Sequence, residues 1–102
     1  MNIGRVVAAI EARYPPSTAE EWDRVGLVVG DPDQTVQTVL LAVDCVHATV
    51  DEAEAVGAQL MVVHHPLLLR GVHSVATTTY KGSLVHRLIR AGIGVYAAHT
   101  NA

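Results

Sequence analysis

Phenylalanine is absent from this chain, and the only aromatic residues are Trp22, Tyr14, Tyr80 and Tyr96. Half of the 102 residues are nevertheless hydrophobic, so valine, leucine, isoleucine and alanine must fill the core. The single cysteine, Cys45, excludes an internal disulfide and suits a reducing compartment. No apolar run approaches the roughly 18 residues that span a bilayer, and Met1–Arg5 lacks the apolar stretch of a secretory signal. A cytoplasmic protein with no membrane partner is expected. Only seven Lys and Arg stand against ten acidic residues, for a net charge of −3. They form no basic stripe to meet a phosphate backbone, so nucleic acid is not an expected partner. Repeats, low-complexity tracts and linkers are also missing, and residues 1–102 read as a single domain.

What is present is alternation. Asn2 is placed to cap a helix whose apolar face is Ile3, Val6, Val7 and Ile10, at spacings i, i+3, i+4 and i+7, ending near Arg13. Tyr14-Pro15-Pro16-Ser17 breaks it. Glu20-Glu21-Trp22-Asp23 leads into Val25–Gly30, a short strand bounded by glycines, and Asp31-Pro32-Asp33 turns the chain. Thr38–Val43 is a second apolar run. Thr49-Val50-Asp51-Glu52 has the capping-box pattern, predicting a helix that starts at Thr49 and stops at Gly57. Leu60–Val63 is the next strand, residues 66–79 read as irregular, and Tyr80, Leu84, Leu88 and Ile89 define another helix face. Gly92 sits where that helix should end, before a last strand over Ile93–Ala98. This order predicts an α/β fold: three layers, a mostly parallel sheet built from βαβ units, and helices on both faces.

In such sheets ligands bind beyond the carboxyl ends of the strands. Here those ends carry Asp44, His64-His65 and His99-Thr100-Asn101. Neutral imidazole is the commonest metal ligand, which makes His64 and His65 candidate ligands. Neighbouring strand residues point to opposite faces, so either the two approach a pair of ions from different sides, or one binds and the other supports it. Asp44 reads equally as a ligand, as an acceptor steadying a ligand's N–H, or as a strand-end cap. Imidazole with carboxylate suits Zn, Mn, Fe, Co or Ni without choosing among them. Other readings are plainer: Cys45 near His47 is a buried thiol, Lys81 and Ser83 with the threonines before them belong to helix capping, His86 is solvated, and His73 lies in a loop. Leu67-Leu68-Leu69 is core cover or a subunit contact.

With those residues laid out, the chain resembles the NGG-interacting-factor-three-like family, the GTP cyclohydrolase type 2 homologs. The resemblance rests on Ala19–Leu27, Ala42-Val43-Asp44, Val63–Leu67, Lys81–Leu84 and Val95–Asn101, in that order along essentially the whole chain. It implies a centre of two divalent transition-metal ions with His64 and His65 as ligands, and assembly into a homohexamer. It also implies that this is the N-terminal part of a longer chain. Family members supply an aspartate just after the His-Thr-Asn motif, and a histidine and a glutamate much later. Two of five ligands are therefore expected here, an incomplete site that should bind metal poorly on its own.

Two functions follow from the resemblance. The first is a metal-dependent hydrolase in which metal-activated water attacks a purine nucleotide or a related small-molecule substrate. His99 and Glu21 are then the candidate catalytic residues, as orienting or proton-carrying groups. The second is a non-catalytic metal-binding protein with a regulatory or interaction role.

Overall fold

The computed structural model describes residues 1–102. Helix α1, Ile3–Arg13, is capped as the sequence predicts: Asn2 Oδ1 accepts from Arg5 N at 2.9 Å. Pro15 disfavours the helical region for Tyr14, which leaves the helix at φ −127°, ψ 76°. Four strands follow, β1 (Gly26–Val29), β2 (Val39–Ala42), β3 (Leu60–Val63) and β4 (Gly94–Ala97). Helix α2, His47–Ala55, joins β2 to β3, and α3, Tyr80–Ala91, joins β3 to β4. The sheet order is β1-β4-β3-β2, with β2, β3 and β4 parallel and β1 antiparallel to β4. The result is an α/β fold on a mixed, mainly parallel sheet.

Alternation along the strands separates two apolar clusters. Leu60 and Tyr96 pack with Ile3 and Val36, joined by Val6, Val7 and Ile10 of α1. Met61, Val63, Val95 and Ala97 pack instead with Val50 and Ala53 of α2 and Leu84, Val85 and Leu88 of α3. Glycine is required where the layers meet most closely. A Cβ on Gly94 would lie 2.9 Å from Ile3 Cδ1, and one on Gly82 would lie 1.9 Å from the Ala76 carbonyl oxygen.

Two boundary details differ from the sequence reading. Helix α2 begins at His47, not Thr49. Thr49 serves the helix start from inside the first turn, where its hydroxyl accepts from Val46 N at 3.0 Å. The buried face of α3 is Gly82, Leu84, Val85 and Leu88, whereas Tyr80 and Ile89 are 57% and 65% exposed. Tyr80 turns outward and meets the His47 ring edge-on. No helix is long and apolar enough to cross a membrane.

Candidate metal centre

Register brings the strand ends level. Ala42 pairs with Val63, and Val63 with Ala97, so the residues just beyond them share one edge of the sheet. His64 and His65 lie past the end of β3, where the backbone bends and both amides donate to the Val43 carbonyl, at 3.2 and 2.9 Å. This removes the alternation that would have sent the two side chains apart. Their rings are 5.2 Å apart between centroids. His99, beyond β4, is 4.9 Å from His64 and 5.6 Å from His65 by the same measure. One ring nitrogen of each of the three lies within 4.8 Å of the others.

Every ring is held at Nδ1 by an oxygen. His64 Nδ1 meets the Ala98 carbonyl at 2.9 Å, His65 Nδ1 meets Asp44 Oδ1 at 2.7 Å, and His99 Nδ1 meets both oxygens of Asp23 at 3.2 Å. A carbonyl or carboxylate oxygen only accepts, so Nδ1 donates in each case, and Nε2 keeps its lone pair while the ring is neutral. Asp44 thus stands as the acceptor of a His65 N–H. That pair is more than half exposed, so it orients the ring more than it stabilises the fold.

Asp23 is different. It is 7% exposed and also accepts from Thr100 N at 2.9 Å, Thr100 Oγ1 and Arg24 N at 2.8 Å. Burial pushes its carboxyl up, but the hydrogen bonds from Thr100, Arg24 and His99 outweigh burial and hold it at about 2. The sequence reading named Glu21 as an orienting or proton-carrying candidate. Glu21 is exposed, and the carboxylate that reaches His99 belongs to Asp23. A cue did exist, an aspartate just ahead of a glycine-bounded strand. Only the antiparallel pairing of that strand, Gly26 opposite Ala97, turns the cue into a contact.

Elsewhere the cap of α3 is Thr79, whose hydroxyl accepts from Gly82 N at 3.0 Å, and not Lys81 or Ser83. Cys45 is buried, and burial pushes its thiol up to about 11. His47 faces Arg87 and Ser83. The chain's one cavity, about 420 Å³, is lined by Val28, Gly30, Val85, Leu88, Ile89 and Ile93 among others. These residues gather around the start of β4, at the opposite end of that strand from His99.

The donor set fits a divalent transition metal. Three clustered imidazoles with their rear N–H groups engaged are a donor set that would hold zinc or a similar ion. Comparison with known proteins agrees with the fold. A Streptomyces coelicolor protein named GTP cyclohydrolase 1 type 2 homolog is 54% identical over 101 residues, 99% of this chain and 35% of that protein. A Mycobacterium bovis protein of the same name is 52% identical over 102 residues, 100% of this chain and 26% of its own length. The crystal structure of a Bacillus cereus protein related to NIF3 superposes with a TM-score of 0.93 at 35% identity, covering 99% of this chain and 28% of that one. This chain therefore spans about a third or less of the length of these relatives. The Duf34/NIF3 (NGG1p interacting factor 3) family profile matches residues 1–102, and the chain belongs to that family.

Proposed function

We propose that this chain provides the metal-binding half of a hydrolytic centre, with His64, His65 and His99 as donors. One observation carries the reading: all three Nδ1 atoms are engaged by oxygen acceptors, which leaves Nε2 as the free donor of each of three clustered rings. Three neutral imidazoles suit one divalent ion. A second ion, and the hexamer, are proposed from the family; the second ion would need anionic donors from the part of the relatives that this chain does not span. A divalent ion held there would supply Lewis acidity and lower the pKa of a coordinated water toward neutrality. The protein's part is to fix the ring orientations through Asp44, Asp23 and the Ala98 carbonyl. The substrate class, a purine nucleotide, comes from the relatives' name.

A second reading is a metal-dependent interaction protein. It is favoured by the absence of an enclosing pocket at the histidines, since the cavity lies at the other end of β4, and by the family's name, which describes a protein partner.

Cobalt tests the metal proposal, and turnover of GTP separates the two readings. His99 adds a third donor to the two that the sequence offered, so Co²⁺ should give visible absorption bands with the wild-type chain. His64→Ala and His65→Ala should abolish them, and His99→Gln should weaken them, while circular dichroism stays unchanged. An unaltered spectrum in His64→Ala or His65→Ala would sink the metal proposal. Metal binding without release of product from GTP, in this chain or a longer relative, would favour the interaction reading.

A further inference from the structure

We propose that Trp22 is a stacking platform for a planar heteroaromatic ring presented to the histidine cluster. The ligand of this site would then be a ring-bearing molecule rather than a bare phosphoester or an acyl chain. The inference rests on the reading of the cluster as the reacting centre.

Trp22 is the chain's only tryptophan and is 57% exposed. An indole left in water is unusual for a residue that is normally well buried, and this chain buries Tyr96 completely where an aromatic is needed for packing. Its position is equally specific. The indole and His99 rings are 6.1 Å apart and nearly perpendicular, at 74°, and His99 adjoins both His64 and His65. A ring stacked parallel to the indole would therefore stand nearly perpendicular to the His99 imidazole and close to the cluster.

The turn that carries Trp22 is also anchored. Thr100 Oγ1 accepts from Glu20 N at 2.8 Å, and Asp23 N donates to Glu20 O at 3.0 Å. On the other side of Trp22, the buried Asp23 carboxylate holds Thr100 and His99. The turn that displays the indole is thus fastened at both ends to the loop that carries a metal-ligand candidate. Presenting a large flat group without ordering cost on binding is what a recognition residue needs. An indole face accepts any planar base and sets ring class more than ring identity. The competing account is that the indole only shields the His99–Asp23 contact from water, and it predicts no affinity for free rings.

Because there is one tryptophan, fluorescence excited at the red edge of the indole band, where the three tyrosines do not absorb, reports Trp22 alone. Guanosine 5′-monophosphate and ribose 5-phosphate are titrated into the chain, with and without Zn²⁺; both offer a phosphate, and only the first offers a ring. Saturable quenching by the ring-bearing compound only is expected. By saturation-transfer NMR, Trp22→Ala should weaken guanosine 5′-monophosphate binding on the order of tenfold, with Trp22→Phe retaining most of it. Co²⁺ absorption should be unaltered in both variants. Equal affinity for ribose 5-phosphate, equal binding by Trp22→Ala, or no saturable quenching overturns the proposal. The two readings fail separately: loss of the Co²⁺ signal in the wild type would remove the metal centre, and loss of ring-dependent quenching would remove the platform.

Discussion

A carboxylate in an apolar interior is costly unless its lone pairs are occupied. Asp23 has donors from Thr100, Arg24 and His99 on its two oxygens. Asp23→Asn keeps the shape but turns an NH₂ toward groups that donate, so destabilisation of about 1–3 kcal/mol is expected in urea unfolding at neutral pH. The acid limb gives an independent check. The folded value, about 2, lies below the ordinary 3.8, so ionised Asp23 favours the native state. That contribution is complete above the unfolded value and is lost as pH falls through the folded one. It amounts to about 2 kcal/mol. The stability gap between wild type and Asp23→Asn, measured without metal, should narrow by about that amount between about pH 5 and pH 2. A gap independent of pH would mean that hydrogen-bond shape, and not charge, makes this residue matter.

At the scale of elements, what was legible in the chain was local. The Asn2 cap, the Pro15 break after α1, the glycine ending of α3 and the three apolar strands are each written in a few adjacent residues. The strand-end histidines were legible for the same reason, because apolar runs stop at Asp44, His64 and the His99 loop. What was not legible is direction. Nothing within Gly26–Val29 says that β1 runs antiparallel, and that direction brings Asp23 and Trp22 to the histidines instead of to the far end of the sheet. The start of α2 was misplaced because Thr49 does serve the helix terminus, but from its third position. Gly82 shows another non-local requirement, invisible in a helical pattern of good formers. Its missing Cβ makes room for the Ala76 carbonyl, so the loop after His65 closes directly onto the first turn of α3. On an exposed helix Gly→Ala would stabilise. Here the clash with backbone should reverse the sign, and Gly82→Ala is expected to cost about 1–3 kcal/mol. A raised thermal midpoint would show that the loop is free to move away.

Over the whole molecule the sheet is covered unevenly. Centrally placed β4 is buried along its length, whereas β2 lies at an edge and alternates between exposed and half-buried residues. Val39 and Leu41 pair with Leu60 and Val62 and so share the α1 face of the sheet, yet Leu41 is 76% exposed. Val43 just beyond is exposed as well. An apolar row beside the unpaired backbone of an edge strand is a template for association. The chain should therefore scatter more light per unit mass as its concentration rises. Leu41→Lys places a charge on that row without touching the two packed clusters. It should suppress the association while leaving unfolding stability within about 0.5 kcal/mol of wild type. Association unchanged in Leu41→Lys would direct attention to the other edge strand, β1, where Ile89 and the cavity beside it offer the next exposed apolar surface.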